Sequence, residues 1–561
     1  MVAPSDSASG SWNIGRAVPI LLGLGALLRL WQYAGNPSLW MDELALANNL
    51  VTRPLALLLG TPLADGQVAP PGFLIVSRAL VVAFGSSEYA LRLFPLLCSL
   101  ASLPLFATVA TRVLRPPAAV LAVALFALSP GIAIYAAEGK QYASDVLVTL
   151  GLTDLTLWWL AAPSARRGLA LAAGGGIALL FSQPAVFVLG GLGVALALGV
   201  AREERRKLLG PMAFWATAAV LSVVLARARM SSGLTEYMHW FWREGFPPWP
   251  VKSLEDALWP VRALAAVFGL GLGYPWPWAY LALATCGLVW LLRRARRVAL
   301  LLAAPIALTL IAAVAQAYPF QLRLVLFLVP GFLLLVAEGA GLFAERAGRL
   351  AGGRPGRALA GLVLLGVATP VAVSLVRTPP VWYLDEVRPV FAELQQRRQP
   401  GDAVYAYYPS WQAVRYYGPR YGLGFDAVDL GACHPKDLHD YLRELDRYRG
   451  RRVWFLATFT AARLGERQAM LAYLEAIGVR RATIEGPPTN RPGAISSREP
   501  VESRLRTAAY LYDLTDPSRL GSTAADRQVL PPAVRSAGIP RCVHGPAVPR
   551  VPTVATVGGA L

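Results

Sequence analysis

The stretch SLWMDELALA, residues 38–47, follows an apolar run at 17–34 and a short polar turn at 35–38. It places two adjacent carboxylates, Asp42 and Glu43, where that run predicts the outer boundary of a membrane. Charged side chains at this depth are costly, and they are usually kept for a function. The pair is therefore the first candidate for a functional site.

The composition predicts an integral membrane protein. The chain has 561 residues, of which 55% are hydrophobic and 16% are charged, whereas soluble domains carry about a quarter charged residues. The net charge of +19 does not indicate nucleic-acid binding. The basic residues stand in short clusters between apolar runs, which is the pattern of cytoplasmic loops in membrane proteins.

Spacing and charge together predict the topology. A spanning helix needs about 20 mostly apolar residues, and eleven segments fit: 17–34, 92–111, 117–135, 143–162, 168–182, 185–201, 211–228, 278–292, 298–316, 322–341 and 357–376. Basic clusters follow every second segment, starting at Arg112, Arg166, Arg202, Arg293 and Arg346. We expect these connections to be cytoplasmic. The alternate connections then face outward, provided that the apolar stretches 70–84 and 260–272 are interfacial or re-entrant.

The topology divides the chain into four parts. Residues 1–16 form a cytoplasmic N-terminus and 17–376 a transmembrane domain, whose first outer loop is 35–91. Residues 377–515 alternate between strand patterns (403–408, 452–457, 508–514) and helix patterns (381–398, 437–449, 466–477), which predicts a small α/β domain outside the cytosol. Residues 516–561 are rich in Pro, Gly, Ala and Val, which predicts a loosely ordered tail. Cys433 and Cys542 could pair there, and the sequence leaves this open.

The outward connections collect carboxylates, cations and aromatic residues. Besides Asp42 and Glu43, they contain YAAEGKQY at 135–142 and YPFQLR at 318–323. A carboxylate at the interface can take the proton of an acceptor hydroxyl, and cations can neutralise a phosphate leaving group. Aromatic side chains suit both sugars and the headgroup zone. This combination favours an enzyme that uses a sugar attached to a lipid phosphate.

Five segments carry a family resemblance: SLWMDELALA (38–47), APPGFLIVSR (69–78), SEYALRL (87–93), YAAEGKQYASDVL (135–147) and YPFQLRLVLFLVP (318–330). In this order they resemble motifs of the C-type (GT-C) membrane glycosyltransferases, family 39 and its relatives. That group includes protein O-mannosyltransferases and the lipid A aminoarabinose transferase. The resemblance extends over about residues 15–380 and implies a GT-C fold for the transmembrane domain.

The resemblance also implies an activity and a set of site residues. The reaction would be an inverting transfer from a polyprenyl-phosphate sugar to an extracytoplasmic acceptor, which could be a lipid, a polysaccharide or a protein. Asp42 would be the base, Glu43 its neighbour in the motif, and Glu138 the second acidic position. The donor phosphate would be bound by Lys140, Tyr142, Arg92 and Arg323. No cofactor is certain, and a divalent metal (Mg²⁺ or Mn²⁺) beside Asp42 and Glu138 stays open.

Two departures from the family pattern stand in the first outer loop. Ala69 replaces the usual His or Lys before Pro-Pro, and Gly72 replaces the usual Leu. The missing basic side chain leaves the donor phosphate to Lys140 and the arginines, or it signals a different donor or acceptor.

Simpler interpretations compete with each of these assignments. Asp42 or Glu43 could cap the helix that follows, Glu138 and Lys140 could form an ordinary ion pair, and Arg92 or Arg323 could be an interfacial anchor. The alternative function is a transporter or lipid-linked sugar flippase, and the membrane-embedded Asp154 favours this alternative. A transporter predicts two similar halves, and we see no convincing internal repeat.

The expected location is the bacterial inner membrane, with the site and the C-terminus facing the periplasm. The expected partners are the lipid bilayer, the polyprenyl-phosphate donor and an unknown envelope acceptor. The sequence leaves open the sugar, the acceptor, the role of the C-terminal domain and the oligomeric state.

Overall fold

The computed structural model describes residues 14–228, 230, 232–434, 438–458, 464–491 and 506–519. Most of this chain is helical. The helices before the C-terminal region are α1 (Ile14–Ala34), α2 (Met41–Thr52), α3 (Leu55–Gly60), α4 (Pro71–Phe84), α5 (Glu88–Val113), α6 (Pro116–Leu128), α7 (Pro130–Tyr135), α8 (Tyr142–Ala161), α9 (Ala165–Phe181), α10 (Ala185–Gly199), α11 (Arg202–Ala228), α12 (Ser232–Phe241), α13 (Leu254–Ala257), α14 (Trp259–Ala266), α15 (Pro277–Arg294), α16 (Arg296–Val314), α17 (Val329–Ala351) and α18 (Gly353–Arg377). A 3-10 helix, Leu322–Leu328, leads into α17.

The protein is a multi-pass membrane protein by the length and composition of its helices. Within the described residues, six helices are long and apolar enough to cross a membrane: α1, α5, α11, α16, α17 with the residues before it, and α18. The other five predicted spans also fall on helices, namely α6, α8, α9, α10 and α15. The total of eleven crossings therefore stays a prediction.

Glycines allow two of the core helices to approach closely. In α15 and α17, a Cβ added at Gly287 would lie 2.0 Å from the carbonyl oxygen of Leu335, and one added at Gly339 would lie 2.0 Å from that of Leu283. Small residues at a helix crossing are typical of membrane proteins, where close backbone packing replaces the hydrophobic drive between helices.

Charged residues bring the ends of three helices together at one end of the bundle. Arg115, just after α5, lies 3.7 Å from Glu338 of α17 and also contacts Glu345. Arg294, the last residue of α15, lies 3.3 Å from the same Glu338. Arg115 and Arg294 follow the second and eighth predicted spans and Glu345 follows the tenth, whereas Glu338 lies within the tenth span, 322–341. Their meeting agrees with the predicted parity of the connections.

The C-terminal region is a five-stranded mixed sheet with helices. Its strands are β1 (Ala403–Ala406), β2 (Asp429–Leu430), β3 (Arg452–Ala457), β4 (Val479–Glu485) and β5 (Ala508–Asp513), in the spatial order β2-β1-β3-β5-β4. The pairs of β1 with β2 and β3 are parallel, and those of β5 are antiparallel. Its helices are α19 (Val387–Arg397), α20 (Trp411–Tyr417), α21 (Leu438–Asp446) and α22 (Leu464–Ile477).

The strands β1, β3 and β5 lie at the three predicted strand positions, whereas β2 and β4 were not predicted. The missed strand β4 lies at the sheet edge, and its Arg480 and Arg481 are exposed, so its sequence lacks the apolar pattern of a buried strand. Cys433 is disulfide-bonded. Cys542, like most of the predicted tail, lies outside the described residues.

The sheet domain packs directly on the first outer loop. Leu46 of α2 and Phe73 of α4 share a buried core with Phe391 of α19 and Trp454 of β3. The backbone N–H of Leu39 donates to the hydroxyl of Tyr417 at 2.8 Å. Because the two parts are in contact, they lie on the same side of the membrane.

Candidate active site

The two adjacent carboxylates occupy the first turn of α2 but point to different partners. α2 begins at Met41, and acidic residues in a first helical turn are stabilised by the positive end of the helix dipole. Glu43 also accepts a long hydrogen bond from the backbone N–H of Trp40, at 3.5 Å. The capping interpretation is thus partly right for Glu43.

Glu43 and Arg92 form a buried two-point ion pair. Arg92 Nε lies 2.9 Å from Glu43 Oε1, and Arg92 Nη2 lies 2.7 Å from Oε2. The backbone N–H of Gly139 donates to Glu43 Oε1 at 2.7 Å, and Arg92 donates to the carbonyl oxygen of Pro37 at 2.6 Å. The side chain of Glu43 is 3% exposed and that of Arg92 is 1% exposed.

This clamp, as we call the Glu43–Arg92 pair with Gly139, joins the first outer loop, α5 and the loop before α8. Both carboxylate oxygens of Glu43 are occupied, and the guanidinium of Arg92 is surrounded by acceptors. We therefore propose a positioning role for both residues, in place of the catalytic role expected for Glu43 and the phosphate-binding role expected for Arg92.

Asp42 faces three polar side chains that sequence analysis also selected. Its Oδ1 lies 3.0 Å from Lys140 Nζ, and its Oδ2 lies 3.1 Å from Arg323 Nη2. The hydroxyl of Tyr142 donates to Oδ2 at 3.3 Å. Burial raises the pKa of Asp42, but Lys140 and then Arg323 outweigh it and hold this pKa at about 2. Asp42 is therefore an anion at neutral pH, with two cations beside it.

Aromatic rings hold the guanidinium of Arg323. Its central carbon lies 5.0 Å from the ring centroid of Trp40 and 4.9 Å from that of Trp242. Its Nε donates to the hydroxyl of Tyr142 at 2.8 Å. Cation–π contacts of this kind fix an arginine without neutralising it. Trp242 lies outside the five segments that carry the family resemblance, so sequence analysis did not place it in the site.

The structure gives physical reasons for the two departures in the first outer loop. A Cβ at position 72 would lie 2.8 Å from the carbonyl oxygen of Leu180, so the close packing of α4 on α9 requires Gly72. Ala69 is buried. A basic side chain reaches this loop from the connection before α8, since Lys140 Nζ donates a hydrogen bond to Gln67 Oε1. Gln67 had no signal in the sequence.

Glu138 is paired with an arginine of the C-terminal domain. Its Oε2 lies 2.9 Å from Arg491 Nη1, and the Arg491 guanidinium lies 4.8 Å from the ring centroid of Tyr135. Burial raises the pKa of Glu138, and Arg491 opposes this rise; Glu43, Arg323 and Asp42 are also close enough to act on it. Arg491 stands 353 residues from Glu138, in a stretch without a motif, so sequence analysis missed it.

The seven predicted site residues thus divide into two groups. Asp42, Lys140, Tyr142 and Arg323 are in direct contact, with Glu138 beside them, whereas Glu43 and Arg92 form the clamp.

The arrangement does not fit a metal site as it stands. The two expected ligands, Asp42 and Glu138, each already face cations. Among the described residues there is no group of three or more His, Cys, Asp or Glu that could hold a metal ion.

Comparison with known proteins gives matches among solved structures only. No family model and no curated protein matches the chain. The chain is similar to ArnT from Cupriavidus metallidurans bound to undecaprenyl phosphate, with 12% identity, 90% of this chain and 99% of the other covered, and a TM-score of 0.47. It is also similar to the oligosaccharyltransferase AglB from Archaeoglobus fulgidus, solved with an inhibitory peptide and a dolichol-phosphate (12% identity, 84% and 73% covered, TM-score 0.47). A third similar structure is the arabinofuranosyltransferase AftD from Mycobacteria (15% identity, 91% and 40% covered, TM-score 0.43).

Proposed function

We propose that the protein is an inverting glycosyltransferase that moves a sugar from a polyprenyl-phosphate donor to an extracytoplasmic acceptor. The observation that carries this proposal is the convergence of Lys140 and Arg323 on Asp42, at the end of the bundle where the first outer loop lies. A carboxylate with two cations offers both groups that the transfer needs, a proton acceptor and a phosphate site. The proposed location is the bacterial inner membrane, with this site facing the periplasm.

The proposed reaction uses these residues in a fixed order. The donor phosphate binds Lys140 and Arg323, which weakens their hold on Asp42. Asp42 then accepts the proton of the acceptor hydroxyl, whose oxygen attacks the anomeric carbon from the face opposite the phosphate. The bond between that carbon and the phosphate oxygen breaks, and its electron pair leaves with the polyprenyl phosphate. The two cations stabilise this leaving group, as electrostatic preorganisation does in other transfers.

Neutralising the two cations should weaken donor binding. For Lys140→Gln and Arg323→Gln we expect the KM for the donor to rise by roughly 10–100-fold, since a charge-assisted hydrogen bond contributes about 1.5–3 kcal/mol. The measurement is the donor concentration dependence of transfer in detergent. Arg243→Gln is a matched control, because Arg243 also contacts a tryptophan, Trp240 at 5.6 Å, and is exposed. A donor KM unchanged in both site variants would contradict the phosphate assignment.

Chelation should have little effect. Cationic side chains already balance the charges of Asp42 and Glu138. A bound metal ion would be repelled by Lys140 and Arg323 and would compete with them for these carboxylates. We therefore expect the rate of sugar transfer in EDTA to stay within about twofold of the rate in Mg²⁺ or Mn²⁺. Transfer assays in each condition check this. Activity that disappears in EDTA and returns with one metal would restore the metal hypothesis.

The function itself is tested with the purified protein in lipid nanodiscs. A panel of undecaprenyl-phosphate-linked hexoses and pentoses is supplied with envelope extract, and released undecaprenyl phosphate is measured by mass spectrometry. Loss of one modified envelope component in a deletion strain then identifies the acceptor. Release of no undecaprenyl phosphate from any donor would overturn the proposal.

The residue that favours the transporter alternative, Asp154, forms an ion pair. Asp154 lies 2.5 Å from Arg112, so it is not an isolated acid in the membrane. Movement of fluorescent lipid-linked sugar across liposomes, without sugar transfer, would support a flippase instead.

A further inference from the structure

Arg491 is held at the site by a chain of hydrogen bonds that starts in the membrane domain. Gln32 of α1 exchanges two hydrogen bonds of 2.8 Å with the backbone of Trp382. The side chain of Asn490 donates to the carbonyl oxygen of Val381 at 2.7 Å and accepts from the backbone N–H of Tyr383 at 2.9 Å. The residue before Arg491 is thus tied to the segment that leaves α18, and this segment is tied to α1.

The contacts of Arg491 direct its charge to one oxygen of Glu138. The pair is buried, with Arg491 10% and Glu138 3% exposed. A buried charge of either sign is tolerated only when it is paired. Arg491 binds Oε2 of Glu138, whereas Oε1 is buried and has no hydrogen-bond partner among the residues that the structure describes. Buried acceptors without a donor are rare and need an explanation.

A substrate that carries hydroxyl or amino groups would supply the missing donor. Glu138 lies close to Arg323 and Asp42, the proposed phosphate and acceptor contacts. The sugar that is transferred and the hydroxyl that receives it must both come near these residues. Either could donate a hydrogen bond to Oε1 of Glu138, provided that Glu138 is ionised.

We propose that Arg491 is a positioning residue, which keeps Glu138 ionised and oriented so that its free oxygen accepts a hydrogen bond from a substrate hydroxyl or amino group. This inference rests on the proposed function. It gives the C-terminal domain a direct part in the reaction, because one of its side chains completes the site. Without Arg491, a buried Glu138 would take up a proton and could no longer serve as an anionic acceptor.

The test is a double-mutant cycle on the full-length protein in nanodiscs. We expect Arg491→Gln and Glu138→Gln each to lower transfer on the order of tenfold, and the double variant to be no worse than Glu138→Gln, because coupled residues are not additive. Arg491→Lys keeps the charge and should recover part of the rate. Arg420→Gln is the control: Arg420 also joins the C-terminal domain to an acid of the membrane domain, Glu88 at 3.3 Å, and Glu88 is not among the groups that act most strongly on Glu138. It should stay within about twofold of the wild type.

Binding measurements distinguish the two sources of the hydrogen bond. The probes are undecaprenyl phosphate without sugar and the same lipid with sugar, measured by thermal shift. If the donor sugar contacts Glu138, Arg491→Gln loses the extra affinity that the sugar gives. If the acceptor contacts it, donor affinity is unchanged while transfer falls. Both results support the positioning role.

Two results would overturn the inference. One is an Arg491→Gln variant with wild-type transfer and binding. The other is an equal loss of transfer from Arg491→Gln in the wild-type and Glu138→Gln backgrounds, which would show that Arg491 does not act through Glu138. A wild-type protein that neither binds undecaprenyl phosphate nor transfers sugar overturns the proposed function, and this inference with it.

Discussion

Asp42→Asn is expected to lower the rate of sugar transfer by about 10²–10⁴-fold, the range that a positioned general base contributes. Asparagine has nearly the same shape, and its side-chain oxygen can still accept the hydrogen bond that Tyr142 gives to Asp42. It cannot accept a proton, and it removes the negative charge between Lys140 and Arg323. The expected loss therefore falls on turnover, while binding of the donor phosphate is retained or strengthened.

The matched control for this variant is Asp154→Asn. Asp154 is also a carboxylate paired with an arginine, Arg112 at 2.5 Å, and it lies outside the site. Turnover and the donor KM are measured for both variants in the same nanodiscs, after a check that their unfolding midpoints agree. An Asp42→Asn variant with more than half the wild-type turnover would remove Asp42 from the chemistry.

The low pKa of Asp42 gives this prediction a pH signature. Lys140 is the largest of the groups that lower it. A carboxylate with a pKa near 2 is a weak base, so donor binding must draw the two cations away before Asp42 can accept a proton efficiently. We therefore expect the acidic limb of the kcat profile, which reports the donor complex, to lie at higher pH than that of kcat/KM. Lys140→Gln should move the kcat/KM limb upward as well, because the pKa of Asp42 rises.

The sequence was sufficient to predict the residues that meet around Asp42, because each stands in a short motif on a connection of the same parity. Lys140 and Tyr142 follow Glu138 by two and four residues, and Arg323 opens a later helix. Charge clusters fix which helix ends face the same side. Long apolar runs likewise predict the helices, except that the run 117–135 forms two helices, α6 and α7, which meet at Ser129.

The sequence could not separate Asp42 from Glu43. Adjacent residues in a helical turn point about 100° apart, so one of them can face the site while the other faces the protein interior. Which one faces inward depends on Arg92 and the backbone N–H of Gly139, and that is a matter of tertiary packing. Arg491 illustrates the same limit, since its contact with Glu138 depends on how a separate domain docks.

Breaking the clamp is expected to have the largest effect on stability. Glu43→Gln leaves the buried guanidinium of Arg92 without the carboxylate that binds it at two points, and such a loss costs about 3–5 kcal/mol in comparable buried pairs. Arg92→Gln should cost a similar amount, because it leaves the carboxylate of Glu43 unpaired. In the double variant neither charge remains, and we expect it to be more stable than either single variant. The measurement is the free energy of unfolding in mixed micelles, by titration with SDS.

The control for the clamp is an exposed pair of the same chemistry. Arg349 and Glu345 lie 2.7 Å apart on α17, with exposures of 75% and 33%. Arg349→Gln should change the free energy of unfolding by at most about 1 kcal/mol, as for other surface pairs. Because the clamp also holds the backbone of Gly139, which adjoins Glu138 and Lys140, its loss should misplace both site residues and lower transfer even in protein that stays folded. A Glu43→Gln variant as stable as Arg349→Gln, with unchanged transfer, would show that the pair does not position the site.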